Sequence, residues 1–175
     1  MIGQPGRDLT VQEAGRHITG YTILNDWSAR DLQAKEMRAH LGPAKGKDTA
    51  STMGPVLVTP DELARFRSGT SFALDMTASI NGKTLGSDRM DSMAWSFGDI
   101  LAYASRGTEV RPGDIVASGT CGGGCLAEMW GRHGFGDYPP LGPGDRVCVT
   151  VQELGSMTLT IVEGASPVTI PAARH

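Results

Sequence analysis

The stretch SFALDMTASINGKTL, residues 71–85, decides how this chain folds. Phe72, Leu74, Met76, Ala78 and Ile80 alternate with positions that include Asp75, Thr77 and Ser79, the period-two pattern of a strand with one face in a core and the other in water. Asn81-Gly82 follows at once. A type I′ turn needs positive φ at both central residues, which this pair supplies more readily than most. The reading is a half-buried strand folded into a hairpin, with an antiparallel sheet at the centre of the protein.

The flanking sequence adds strands faster than helices. Pro112-Gly113-Asp114 and Pro143-Gly144-Asp145 are turns that each launch an apolar strand, one over residues 115–117 and one carrying Val147, Val149 and Val151. GYTILND, residues 20–26, reads as a strand ending at Asn25 and Asp26, and strand ends are where chemistry often sits. Residues 9–14 read as polar loop into a short helix. Ser28 with Asp31 resembles a capping box for a helix reaching about His40. Thr59, Pro60 and Glu62 offer an N-cap, a first-turn proline and an N3 carboxylate ahead of Leu63 and Phe66. Ser96 with Asp99, and Trp95 placed to staple onto Ile100, predict a helix over 97–105. With 24 glycines in 175 residues and no repeat at a fixed period, the expectation is one α+β domain of mostly antiparallel sheets with a few short helices outside.

Composition removes whole classes of function. A net charge of −3 leaves no basic footprint for nucleic acid, and no apolar run approaches the roughly 18 residues that span a bilayer, so neither nucleic acid nor membrane is an expected partner. Cys121, Cys125 and Cys148 are an odd set, and MIGQPGRDLT lacks the basic and apolar regions of a secretory signal, which points to a reducing, cytoplasmic compartment. The three thiols read as small buried hydrophobes. His17, His40 and His133 stand alone and read as surface or capping residues, and His175 is terminal.

The densest polar constellation runs from Asn25 to Asp48. Asp26 offers a carboxylate at a strand end, and Arg30 and Gln33 share a helix face. The turn GPAKGKD, residues 42–48, brings two lysines beside glycines and reads either as a solvated turn or as backbone that approaches a small ligand closely. The cations Arg30, Lys35, Arg38, Lys45 and Lys47 all fall within this segment, and Lys35 and Arg38 read as a solvated helix face. A second glycine cluster, SGTCGGGCLAEMWG (118–131), reads as a flexible loop or as backbone N–H groups around an oxyanion with Glu128 as a base.

Four blocks, NDWSARDLQ (25–33), GPAKGKDTASTMGPVLVTPDEL (42–63), WSFGDILAYASRGTEVRPGDIVASGT (95–120) and LGPGDRV (141–147), together resemble the catalytic domain of the fumarylacetoacetate hydrolase family across nearly the whole chain. The resemblance implies a mixed β-sandwich roll, usually dimeric, with a divalent cation (magnesium, calcium or manganese) holding an oxo-acid or β-diketone substrate. It implies that Asp26 is a metal ligand, that Arg30 and Gln33 bind substrate oxygens, and that Thr120 contacts the substrate carboxylate. By the same resemblance Lys47 stabilises a carbanion or enolate and Glu128 positions the attacking water. The family's Glu-x-Glu pair, which supplies two further metal ligands, has no counterpart ahead of Ile2-Gly3, so residues 1–175 read as one N-terminally incomplete domain. The expected activity is metal-assisted hydrolysis of a carbon–carbon bond in a diketo acid. Alternatives are a decarboxylase or isomerase of aromatic catabolism, or a non-catalytic oxo-acid-binding remnant. The expected partners are a small oxo-acid and either a second copy of the chain or a chain supplying the missing segment.

Overall fold

The computed structural model describes residues 1–40, 42–166 and 168–171, so His175 lies outside the described residues. Its strands are β1 (Gly6–Arg7), β2 (Leu24–Asp26), β3 (Ser51–Met53), β4 (Arg67–Ser68), β5 (Ser71–Phe72), β6 (Asp75–Ile80), β7 (Lys83–Arg89), β8 (Glu109–Val110), β9 (Arg146–Val151) and β10 (Gly155–Thr160). Its α-helices are α1 (Val11–Ala14), α2 (Arg30–Met37), α3 (Phe97–Ala104) and α4 (Leu126–His133). Every pairing between these strands is antiparallel.

The hairpin forms where the alternation places it. β6 and β7 pair from Asp75↔Arg89 to Ile80↔Lys83, and Asn81 and Gly82 take φ of 52° and 81°, the two positive values of a type I′ turn. β9 joins the other edge of β6 and β10 pairs with β9, giving a four-stranded sheet in the order β10-β9-β6-β7. β10 is a strand that the sequence reading passed over, although SMTLT alternates. β1–β8, β2–β3 and β4–β5 are separate two-stranded ladders. The structure is thus a mixed fold of few short helices and small antiparallel sheets.

Met76 of β6 packs against the main core. Phe72, Leu74, Met90, Val151, Leu154 and Met157 pack there with Ile23 and Leu63, and Tyr21 meets Phe72 and Phe97 edge-on at ring-centroid distances of 5.3 and 5.4 Å. A second cluster of Ile2, Ala14, Leu101 and Val110 seats α1 against α3. The two Pro-Gly-Asp turns are built alike: Asp114 Oδ2 accepts from Arg111 N and Asp145 Oδ2 accepts from Gly142 N, both at 2.8 Å. The second launches β9 as expected. The first launches no strand, because residues 115–117 have no neighbouring strand among the described residues and an unpartnered strand has no ladder to satisfy its backbone.

Helix signals fare unevenly. Ser96 and Asp99 form the reciprocal capping box of α3, and the carboxyl of Asp99 is held below its usual range by the hydrogen bonds from Ser96, but Trp95 stays 68% exposed. α1 has its own box from Thr10 and Glu13. The Ser28–Asp31 box does not form: Ser28 Oγ donates to Asp26 O instead, and α2 begins after Ala29, whose N–H donates to Gly46 O at 2.8 Å. The Thr59–Glu62 signal yields only the 3-10 turn Ala64–Phe66, since the chain enters β4 at Arg67 before two helical turns fit. The cysteines are free and half-buried rather than core residues.

Leu74, with 0% of its surface exposed, and the Ser96 cap give separable costs. Leu74→Ala is expected to lose about 2–5 kcal/mol and Ser96→Ala about 1 kcal/mol, read as differences in urea midpoints at unchanged slope.

Candidate active site

β2 delivers Asp26 and β3 holds it in register, with Asp26 opposite Ser51 and Trp27 Nε1 donating to Thr52 Oγ1 at 2.9 Å. From there the chain enters α2, whose first turn carries Arg30 and Gln33. Arg30 Nη1 donates to Gln33 Oε1 at 2.8 Å, the shared face that their spacing implies.

The lysine turn closes over this helix. Gly46 is buried, and a Cβ there would stand 2.8–2.9 Å from Gln33 atoms, so the glycine serves close approach to α2 rather than to a ligand. Glu36 Oε2 accepts from Ala44 N at 3.0 Å and Gly46 N at 3.2 Å, and these bonds hold its carboxyl below the usual range. The last residue of that 3-10 turn, Lys47, reaches across to Asp26, with Nζ 2.6 Å from Oδ2. Lys45 pairs with Asp48 in solvent, away from the site. Lys47 is the better covered of the two lysines, with 28% of its side chain exposed against 77%.

The three central amides of the glycine cluster are taken up within the protein. Gly122 N donates to Asp88 Oδ2, Gly123 N to Glu128 Oε2, both at 2.9 Å, and Gly124 N closes a turn on Cys121 O. All three donors are used. Beyond the loop lies α4, a helix absent from the sequence reading although acidic Glu128 opens it and basic Arg132 and His133 end it. Glu128 is engaged twice, by Gly123 N and by an ion pair with Arg132 one turn on. Cys125, the N-cap of α4, takes a contact from Arg30 Nη2 at 3.4 Å, which ties the start of α4 to α2. Thr120 bonds locally to Cys121 O and lines, with Asn25, Ser118 and Gly124, the rim of a cavity of about 160 Å³ whose floor is apolar. Thr22 Oγ1 and Asn25 Nδ2, on the same cavity, are buried without partners.

The structure therefore joins Asp26 to Lys47, and Arg30 to Gln33 and Cys125. It puts Thr120 on the cavity beside Asn25 and locks Glu128 into the start of α4. Glu36, Asp88 and Cys125 were missed in the sequence. Nothing in the spacing of Glu36 from residues 44–46 marks a loop anchor, and Asp88 lies 34 residues from the amide it binds.

The family model described as the C-terminal domain of fumarylacetoacetate hydrolase matches residues 1–162. The chain belongs to the fumarylacetoacetate hydrolase family. Among curated relatives, oxaloacetate tautomerase YisK of Bacillus subtilis is 31% identical over 160 residues, 90% of this chain and 48% of that protein. A human mitochondrial oxaloacetate tautomerase is 29% identical over 164 residues, 93% of this chain and 48% of its own length. The chain spans about half the length of these relatives. Among solved structures, fumarylpyruvate hydrolase from Pseudomonas aeruginosa, in complex with Mn2+ and pyruvate, superposes with a TM-score of 0.74 at 25% identity, covering 92% of this chain and 61% of that one. A 5-carboxymethyl-2-hydroxymuconate delta-isomerase from Mycobacterium smegmatis gives 0.72 at 28%, covering 94% and 56%.

A divalent metal is thus part of the family's chemistry, and the donor set here can be tested against one. Among the described residues no three His, Cys, Asp or Glu side chains converge, and the carboxylate of Asp26 already receives Lys47. Hard cations take six or more oxygens, and one shared carboxylate does not make that shell. The described residues alone do not fit the ion. No helix among them is long and apolar enough to cross a membrane.

The lysine turn carries a pH signature. Because the carboxyl of Glu36 is lowered below 4.5, its contribution is present above the unfolded pKa and is lost as pH falls through the folded value. The Ala44 and Gly46 amide proton shifts are expected to titrate together with a midpoint below 4.5, and Glu36→Gln to abolish that titration in an NMR series.

Proposed function

We propose that this chain forms the enolate-stabilising part of an enzyme that moves a proton between oxygen and carbon in a small 2-oxo acid, oxaloacetate being the class example. The observation that carries this reading is the Lys47–Asp26 pair beside the Arg30–Gln33 pair. A 2-oxo dicarboxylate brings two carboxylates and develops a third negative centre when it enolises. Arg30 presents a planar guanidinium to a carboxylate, Gln33 orients that guanidinium, and Lys47, steadied by Asp26, donates to the enolate oxygen as charge builds. Thr120 and Asn25 offer further donors at the cavity rim. Tautomerisation takes a proton from one atom and returns one to another, so it consumes no water and needs no attacking nucleophile.

Hydrolysis of a carbon–carbon bond in an acylpyruvate or fumarylacetoacetate-like acid is the second reading, favoured by the likeness to the fumarylpyruvate hydrolase. It would employ the same two cations for the carbanion leaving group and would ask Glu128 to position water. The engagement of Glu128 by Arg132 and Gly123 N argues for the first reading. For either one, a second copy of the chain, or a chain bringing further carboxylates, would supply the oxygen ligands for magnesium, calcium or manganese that Asp26 alone lacks.

Two variants separate these readings. Lys47→Met is expected to lower the rate at which the enol absorbance of oxaloacetate decays by about 10²–10³-fold, the size of removing one oxyanion donor. Glu128→Gln should leave that rate nearly intact. Turnover of an acylpyruvate that depends on Glu128 while oxaloacetate stays untouched would replace the tautomerase reading with the hydrolytic one.

A further inference from the structure

The glycine loop of residues 122–124 is anchored from a strand that takes no other part in the site. Asp88 sits near the end of β7, half-buried, and its Oδ2 accepts from Gly122 N at 2.9 Å. Its Oδ1 accepts from Arg89 N and Ser92 Oγ, both at 2.8 Å. These donors hold the carboxyl below its usual range, and among the described residues it has no cationic partner, since Arg89 turns to Asp91. Two residues earlier, Gly86 faces the same loop, and any Cβ there would overlap the Gly122–Gly123 backbone. A Cβ on Gly122 would stand 2.9 Å from Asp88 Oδ2. The contact is therefore backbone on backbone, with one carboxylate fixing its register. Asp88 is also close enough for its charge to act on Cys121, whose thiol is pushed up first by burial and then by that charge.

We propose that Asp88 is a positioning residue for the site: by holding Gly122 it fixes Thr120 on one side of the loop and Cys125, the contact of Arg30, on the other. Three successive glycines have no preferred conformation of their own, so an external anchor must choose one. Asp88 supplies it from the central sheet, the most rigidly paired part of the molecule. Arg30 receives the effect at second hand, through Cys125 Sγ. Asp88 itself touches no substrate. This inference rests on the proposed function for its catalytic consequence, but the clamp can be read without any turnover.

The test uses the full chain with Asp88→Ala and Asp88→Asn, followed by amide exchange in NMR. Exchange at Gly122 rises trivially when its acceptor is removed, so the informative amides are Gly123 and Gly124, whose acceptors Glu128 and Cys121 are untouched. A hydrogen bond to a charged group is worth enough that Asp88→Ala should speed both by about tenfold or more, with β6 and β9 amides unaffected, while Asp88→Asn, which keeps an oxygen for Gly122 N–H, stays within about threefold of the parent. With oxaloacetate, Asp88→Ala should raise KM about tenfold with kcat changed less than about threefold, and Asp88→Asn should restore KM. Unchanged exchange at Gly123 and Gly124 in Asp88→Ala overturns the clamp. Equal loss of kcat and KM in both variants overturns the positioning role. Absence of oxaloacetate turnover in the parent chain would instead sink the tautomerase reading, leaving the exchange experiment to decide the clamp. If Asp88→Ala does not fold, Ser92→Ala, which removes one donor from the carboxylate, carries the same expected pattern at smaller size.

Discussion

Backbone lying directly on backbone, possible only where a side chain is missing, is the constraint on which the site depends. It occurs twice. Gly46 lies against Gln33 on α2, and Gly86 lies against Gly122 and Gly123. Each contact converts a glycine-rich turn into a fixed platform, the first presenting Lys47 to Asp26 and the second carrying Thr120 and Cys125. In both, a carboxylate from elsewhere in the chain takes the exposed N–H groups: Glu36 at the lysine turn and Asp88 at the glycine loop. Glycine gives the close approach, and the carboxylate selects one conformation among the many that glycine allows.

On the function proposed above, that arrangement leaves the cations, rather than amides 122–124, to meet an anion. The loop N–H groups at 122–124 are spent on Asp88, Glu128 and Cys121. The ion pair of Asp26 and Lys47 is half-exposed, and pairs of that kind contribute only about 0–1 kcal/mol to stability. On the proposed function its value would lie in holding an ammonium in one place, where it costs no reorganisation when charge develops on a ligand. Arg30 is similarly fixed, braced on one side by Gln33 and on the other by Cys125.

What could be read from the sequence was local. The Asn81-Gly82 turn and the Ser96–Asp99 box depend on neighbours a few positions apart and appear as read, whereas the alternation through residues 72–80 is one pattern that the structure divides, Phe72 ending β5 and Asp75 opening β6, because Phe72 pairs with Arg67 of β4 instead of continuing in the sheet of β6. The polar segment 25–48 was legible as local pairing, because one strand, one helix and one turn in succession pair Asp26 with Lys47 and Arg30 with Gln33. Other signals fail. Ser28 does not cap because its hydroxyl donates back to Asp26 O and α2 begins one residue later, with Ala29 in the cap position, and residues 115–117 lack a ladder because a strand needs a neighbour as well as a pattern. The anchors Glu36 and Asp88 carry no sequence signal, since what they bind is main chain, and main chain is the same at every residue.

The position of Glu128 shows how one scaffold can divide between reactions. A carboxylate that activates water must have lone pairs free to accept the water's proton. Here one oxygen of Glu128 receives Gly123 N–H and the other meets Arg132, so both are committed to the start of α4. Arg30 and Lys47 are held too, by Gln33 and Cys125 and by Asp26, but each keeps further N–H donors, and on the proposed function charge stabilisation is the chemistry that they would lend to any reaction passing through an enolate. A change as small as the loss of Arg132 would free one oxygen of Glu128 without disturbing Lys47 or Asp26. On the proposed function, the step from proton transfer to hydrolysis would turn on the occupancy of that single carboxylate, with Lys47 and Arg30 left as they are.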